Sequence, residues 1–190
     1  IPDENTVLGY FQSLSNWGRW GHEDQLGTLN LVTPAKTQQA IGLVQDGVTV
    51  TCSRPIIAEG APDAPSPPLH FMVASGEAFN CHTDTPVKQS QSSSDFIGMI
   101  FHGTTITHVD SLAHFFWEGQ MYNGRPSTLV TTREGATVES IELLRQGIVT
   151  RGVLLDVART RGVDWMMPGD GVLTDDLEAA EQLCKVRVQE

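Results

Sequence analysis

Three histidines and one aspartate lie close together in the middle of the chain, within residues 101–115. His108 and Asp110 are two residues apart, so a β-strand would point both side chains to one face. An imidazole nitrogen beside a carboxylate oxygen is a typical start of a coordination sphere for zinc or manganese. The spacing therefore predicts that His108 and Asp110 bind one divalent metal ion. His114 lies past a predicted turn and is a candidate ligand or catalytic general base.

His102 is a third candidate ligand, but its spacing requires a bend in the chain. It precedes His108 by six residues, which puts both on one face of a straight strand at a separation of about 20 Å. That distance is too long for two ligands of one ion. We therefore expect residues 102–107 to form a bulge or tight turn, with Gly103 adopting a positive φ, if His102 binds the metal.

A cluster of hydrogen-bonded structural histidines is the alternative interpretation of this stretch. A single histidine is most often structural, and the spacing His-x-Asp is a weak signal when it stands alone. However, three histidines and a carboxylate in an otherwise apolar stretch would cost several kcal/mol if they were buried without partners. The residues alone leave both interpretations open and favour a metal or catalytic site.

The same stretch resembles the signature of the cyclase family, which includes bacterial kynurenine formamidases and isatin hydrolases. That signature reads HxGTHxDxPxH, and residues 107–110 and His114 match its central and last positions. Thr104 stands at the position of the first histidine and Leu112 at that of the proline. The resemblance extends along most of the chain, with further similar segments at residues 16–21, 24–30, 121–124, 151–156 and 162–165.

The resemblance implies a metal-dependent hydrolase with a swivelling β/β/α-type fold that cleaves the carbon–nitrogen bond of a small cyclic or N-formyl amide, as an arylformamidase of tryptophan catabolism does. His108 and Asp110 would be metal ligands, with His102 as the third, and His114 would accept a proton from the nucleophilic water. The cofactor would be a divalent metal, zinc or manganese, and the protein a homo-oligomer, dimer or tetramer. Family members are longer and carry further His and Glu site residues in their later part, so residues 1–190 are expected to form a single cyclase-like domain that lacks its C-terminal part.

Four aromatic residues are candidates for the substrate-binding wall, because flat aromatic surfaces suit a planar amide. Trp17 and Trp20 lie in a glycine-rich segment near the start of the chain, and Phe115 and Trp117 follow the histidine cluster directly. The alternative is that they are anchors of a hydrophobic core or shell, which would look the same in sequence.

Composition excludes several classes of partner. The formal net charge is −11, and a surface of that sign repels nucleic-acid phosphates and anionic lipid. The chain has no apolar run long enough to cross a bilayer and no signal-peptide pattern at Ile1. Three cysteines without CxxC spacing indicate a reducing compartment, so we expect a cytoplasmic protein with no membrane and no nucleic-acid partner.

The elements that must position these residues are mixed in type. Helices are predicted at residues 34–46 and 138–146 and after Thr174, and strands at 48–52, 70–74, 96–101, 104–109 and 149–157. Residues 58–68 contain several prolines and predict a loop. The pattern predicts a mixed α/β domain with a β-rich centre. Two other functions remain open: a metal-dependent lyase or cyclase acting on a small carbonyl compound, and a non-catalytic module that kept the fold.

Overall fold

The structure, a computed structural model, describes residues 2–77 and 90–189. Contacts between Cα atoms divide the chain into two compact units. The first unit joins Ile1–Gly47 with Ser111–Glu190, and the second is Val48–Asp110. The expectation that residues 1–190 form a single domain remains a prediction.

The first unit begins with two helices that have side-chain caps. Helix α1 spans Glu4–Ser13, and Asp3 accepts a hydrogen bond from the Thr6 N–H at 2.9 Å. Helix α2 spans Pro34–Ile41 and begins as predicted, with Thr33 accepting from the Lys36 N–H at 3.3 Å. It ends at Ile41 rather than at residue 46. Gly42 has a low helix propensity, and the apolar side chains that follow it are exposed, so no packing favours a longer helix.

The last part of the first unit contains two further helices that pack against each other. Helix α3 spans Val157–Thr160, and helix α4 spans Thr174–Cys184 with acidic residues in its first turn, as predicted. The Arg161 guanidinium donates to Asp176 of α4 at 2.6 and 2.9 Å. This ion pair holds the two helices together.

Two other predictions for the first unit are wrong. Residues 138–146 form only a short 3-10 helix, Ile141–Leu144, because Glu139 has a left-handed φ of 54° that an α-helix cannot contain. Val157 begins helix α3, and residues 149–156 have no regular secondary structure and pair with no strand in the described part of the chain. The same holds for residues 48–52 of the second unit. A β-strand needs a neighbouring strand to pair with its backbone N–H and C=O groups. The sequence pattern of one segment cannot show whether such a neighbour exists.

The second unit contains an antiparallel pair of strands, β1 (Leu69–Ala74) and β2 (Ser94–Gly98). These confirm the two strands predicted in this region, although β2 begins and ends earlier than expected. Phe71 and Phe96 are direct partners, and their rings stack with centroids 4.9 Å apart. The segment after β2, residues 99–110, is irregular, so the β-strand predicted at 104–109 is wrong.

The small β-structure of the first unit is a short ladder between β3 (Val130–Thr131) and β4 (Gly135–Ala136). Together the helices and small antiparallel sheets confirm the predicted mixed α/β class, although the β-structure is less extensive than the sequence suggested. Within residues 2–77 and 90–189, no helix has the length and apolar character needed to cross a membrane.

Candidate metal centre

The chain bends sharply after His102, as the metal hypothesis required. Gly103 has a φ of 82°, which a residue with a side chain rarely adopts. The bend returns the chain so that the His102 and His108 rings lie edge to face, with centroids 5.5 Å apart. A straight strand would have separated them by about 20 Å. The prediction of a turn within residues 102–107 is therefore confirmed.

The carboxylate of Asp110 lies between the two imidazole rings. Its Oδ1 atom is 2.8 Å from Nδ1 of His102, and its Oδ2 atom is 3.5 Å from Nε2 of His108. One donor atom from each of the three residues lies within 4.8 Å of the others. Ligands about 2.0–2.2 Å from a tetrahedral ion are separated by about 3.3 Å. Two nitrogens and one oxygen at these separations could hold a divalent ion such as zinc or manganese.

The backbone sets the tautomer of His108. Its Nδ1–H donates to the carbonyl oxygen of Ile106 at 2.7 Å, which leaves a lone pair on Nε2. That lone pair faces Oδ2 of Asp110, itself an acceptor. Two acceptors in this arrangement repel each other unless a proton or a cation lies between them. In the neutral imidazole, Nε2 is thus available as a ligand atom beside the Asp110 carboxylate.

Exposure differs among the three side chains. That of His108 is 17% exposed, that of Asp110 29% and that of His102 48%. All three side chains are therefore partly exposed, so an ion and water could reach them.

Thr104, which stands where the family signature has its first histidine, has a structural role. Its hydroxyl donates to the carbonyl oxygen of Asp63 at 3.1 Å, and its own carbonyl oxygen accepts from the Arg54 guanidinium at 3.1 Å. The imidazole that lies beside Asp110 and His108 is that of His102, on the other side of Gly103.

His114, the predicted general base, lies in the first unit. It is the last residue of the 3-10 helix Leu112–His114, it is exposed, and its N–H donates to the Ser111 carbonyl at 3.1 Å. The preceding residue, Ala113, is fully buried and anchors this turn. The structure thus brings His102, His108 and Asp110 together, and the catalytic role of His114 remains a prediction.

The four predicted substrate-binding aromatics also lie in the first unit. The Trp17 ring packs against the backbone at Gly124, and the Arg19 guanidinium lies 4.8 Å from the centre of the Trp20 ring. Phe115 is largely exposed, and Trp117 stacks on Phe11 of α1 with ring centroids 4.4 Å apart. Their role in substrate binding remains a prediction.

A hydrogen-bond network that sequence analysis missed holds the loop that carries Trp17 and Trp20. Asn123 accepts from the Gly18 N–H at 2.8 Å and donates to the carbonyl oxygens of Gly21 and Asp24 at 3.0 and 3.1 Å. Asn123 has a left-handed φ of 56°, a conformation that asparagine tolerates. The Asn-Gly dipeptide at 123–124 is a known turn signal and could have indicated this role.

Arg125 and Glu139 extend this network into the interior. One guanidinium nitrogen of Arg125 donates both to the Asp24 carbonyl at 2.8 Å and to Glu139 Oε1 at 3.0 Å. The Glu139 side chain is fully buried, and its Oε2 atom has no hydrogen-bond partner among residues 2–77 and 90–189. Burial raises the pKa of Glu139, and the bond from Arg125 opposes that rise. Nothing in the sequence distinguishes this glutamate from a surface residue.

Asp24 and Tyr122 form a second, partly buried polar pair of the network. The Tyr122 hydroxyl donates to the Asp24 carboxylate at 3.0 Å, and Asn30 donates to the same group at 2.7 Å. Burial alone would raise the pKa of Asp24, but these bonds and one from the Gly27 N–H outweigh it and lower the pKa. Burial and the bond to Asp24 raise the pKa of Tyr122 to about 12.

Within residues 2–77 and 90–189, the group of possible metal ligands consists of His102, His108 and Asp110. His70 of β1 pairs with Asp95 of β2, with Nε2 and Oδ2 2.8 Å apart. His22 lies in the loop held by Asn123, whose side chain donates to the His22 carbonyl oxygen at 3.4 Å. The sequence favours a loop for the Cys-His-Thr-Asp segment at residues 81–84, which lies outside the described residues.

Comparison with known proteins identifies the fold. No protein-family model matches the chain. No curated protein matches it either. A solved structure described as a novel cyclase superposes on 92% of the chain with a TM-score of 0.80 and 30% sequence identity. The chain spans 57% of the length of that cyclase. Over nearly all of its described length, this chain therefore has the fold of a cyclase, as the sequence resemblance predicted.

Proposed function

We propose that this chain is part of a metal-dependent enzyme of the cyclase family that hydrolyses the carbon–nitrogen bond of a small cyclic or N-formyl amide. The observation that carries the proposal is the convergence of His102, His108 and Asp110 on one point, within a fold shared with a solved cyclase. A divalent zinc or manganese ion bound there would activate water for attack and polarise the amide carbonyl.

The protein's own residues have separate tasks in this proposal. The hydrogen bond to the Ile106 carbonyl holds His108 in the tautomer whose Nε2 can bind a metal. Asp110 has one carboxylate oxygen near His102 and the other near His108. His114 accepts a proton from the nucleophile and returns it to the leaving nitrogen. Trp17, Trp20, Phe115 and Trp117 supply flat apolar surfaces that suit a planar amide.

The second candidate is a lyase or cyclase reaction on a small carbonyl compound, and the description of the matched structure as a cyclase favours it. The two reactions are distinguished by carrying them out in heavy-oxygen water. Hydrolysis places one solvent oxygen in the new carboxylate, whereas elimination or cyclisation places none there. Mass analysis of the product therefore decides between them.

The metal assignment is tested by single substitutions with a matched control. We expect His108→Ala and Asp110→Ala each to lose bound metal, measured by elemental analysis, while circular dichroism stays unchanged. His70→Ala is the control, because it removes a histidine from another His–Asp pair of the same unit, 2.8 Å apart. Full metal retention in the His108 or Asp110 variant would contradict the assignment of that residue as a metal ligand.

Three further proposals follow, the first two from the family resemblance. In the third, the amide substrate comes from the resemblance, and the location and excluded partners come from the net charge and the cysteine spacing. The remaining site residues, histidine and glutamate, are supplied by sequence outside residues 1–190, consistent with a match to 57% of the cyclase chain. The protein associates with itself as a dimer or tetramer. It acts in the cytoplasm on a small-molecule amide, with no nucleic-acid or membrane partner.

A further inference from the structure

Arg54 lies at the base of the loop that brings the two histidines together. Its guanidinium donates to the carbonyl oxygens of Thr104 at 3.1 Å and Asp63 at 3.0 Å, and to the Asp63 carboxylate at 2.7 Å. Its backbone N–H donates to the Thr107 hydroxyl at 2.8 Å. Arg54 therefore holds this loop at two points that lie between His102 and His108.

The neighbouring residues of the loop are fixed as well. Thr105 and Ile106 are buried, with 3% and 6% of their surface exposed. The Thr105 hydroxyl accepts from the Ser66 N–H at 3.4 Å. Ile106 provides the carbonyl that sets the His108 tautomer. A shift of this segment would move the His108 ring and its hydrogen bond together.

We propose that Arg54 is a positioning residue of the metal centre: it holds residues 103–107 in the bent conformation that brings His102 to His108 and Asp110. The inference rests on the proposed function, because it requires that these three side chains bind a metal ion. Arg54 itself is not a ligand. Its planar fork reaches the Thr104 carbonyl and the Asp63 backbone and carboxylate at once, and the single ammonium group of lysine cannot reproduce that geometry.

Loss of the Arg54 guanidinium removes no candidate ligand, but it relaxes the bend of residues 103–107. Residues that orient metal ligands from outside the coordination sphere typically change metal affinity by about 10–100-fold when they are replaced. We expect Arg54→Ala to weaken metal binding by that factor. Arg54→Lys should recover only part of the loss.

The test measures zinc affinity by competition with a chelator in the full-length protein, together with the visible spectrum of the cobalt-substituted protein. Arg161→Ala is the matched control, because it also removes an arginine–aspartate pair, at 2.6 Å, but in the first unit. The control should lower stability and leave zinc affinity and the cobalt spectrum unchanged. Arg54→Ala should weaken zinc binding and alter the cobalt spectrum.

A second pair of variants keeps the test decisive if Arg54→Ala does not fold. Thr107→Val removes the acceptor of the Arg54 backbone N–H, and Thr107→Ser retains it. Weaker zinc binding in the valine variant, with wild-type binding in the serine variant, supports the inference. Wild-type protein that binds no zinc would overturn both the proposed function and this inference. Wild-type binding with unchanged affinity in Arg54→Ala, or in Thr107→Val where that is the variant tested, would overturn the inference alone.

Discussion

Replacing Arg125 by methionine removes the positive charge that faces the buried carboxylate of Glu139. The Arg125 side chain is 13% exposed and that of Glu139 0%, and their charged atoms are 3.0 Å apart. Removing one partner of a buried ion pair typically costs about 3–5 kcal/mol, because the other charge remains in a poorly solvating environment. The bonds from Arg125 to the Asp24 and His22 carbonyls would also be lost.

The charge contribution to the destabilisation of Arg125→Met can be derived from proton binding to Glu139. Without Arg125, Glu139 can avoid a buried charge by binding a proton, at the cost of protonating a group whose ordinary pKa is 4.5. At pH 7 that cost is about 3.4 kcal/mol, and at pH 5 it is about 0.7 kcal/mol. These figures set the upper limit of the charge contribution at each pH.

The direction in which stability changes with pH follows from the same reasoning. A carboxyl group whose folded pKa lies above its unfolded pKa binds more protons in the folded state, so stability falls as pH rises between the two values. We therefore expect Arg125→Met to be destabilised relative to wild type by about 3–5 kcal/mol at pH 7 and by less at pH 5. The difference between the two pH values is at most about 3 kcal/mol, because the pKa of Glu139 is already raised in wild type.

The assay is urea unfolding at both pH values, with Arg125→Met/Glu139→Gln as the control. Glutamine keeps the shape of the side chain and carries no charge. The double variant should therefore lose the pH dependence that Glu139 causes and recover at most about 3 kcal/mol at pH 7. A loss below about 1 kcal/mol at pH 7, or equal losses at both pH values, would refute the assignment of Glu139 as a buried charge held by Arg125.

Two further predictions concern His114 and Tyr122. His114→Ala should retain the metal but lower turnover by about 10²–10⁴-fold, measured with an amide substrate, and a loss below about tenfold would contradict its role as general base. Wild-type protein should lose about 1–3 kcal/mol of stability between pH 10 and 12, because the pKa of Tyr122 is near its ordinary value of 10.0 in the unfolded chain and about 12 in the folded one. Urea unfolding of Tyr122→Phe should lack this part of the alkaline decrease, and an identical decrease in both proteins would show that Tyr122 does not cause it.

Local chemistry determined the features that the sequence alone predicted. Thr33 caps α2 because a hydroxyl one residue before a helix can accept its N–H groups, whatever the rest of the fold does. The paired phenylalanines of β1 and β2 lie in short β-branched or aromatic segments that favour strands. His108 and Asp110 are close in sequence, so their convergence needed only a local backbone conformation.

Predictions failed where a segment depended on distant partners. Residues 48–52 and 149–157 have strand-like patterns, yet among the described residues no neighbouring strand pairs with either. Residues 138–146 were expected to be helical, but Glu139 is buried against Arg125 with a left-handed backbone. Burial of that carboxylate depends on a residue 14 positions away, which no periodicity reveals.

The candidate site divides in the same way. Sequence determined which residue types are present and showed, from the six-residue spacing, that His102 could join the other two ligands only through a bend. Tertiary structure decided that the bend occurs, because Gly103 takes a positive φ and Arg54, 53 residues before Thr107 in the chain, holds the returning loop. A turn of this kind is stable only when groups distant in sequence satisfy its backbone, and those contacts exist only after the chain has folded.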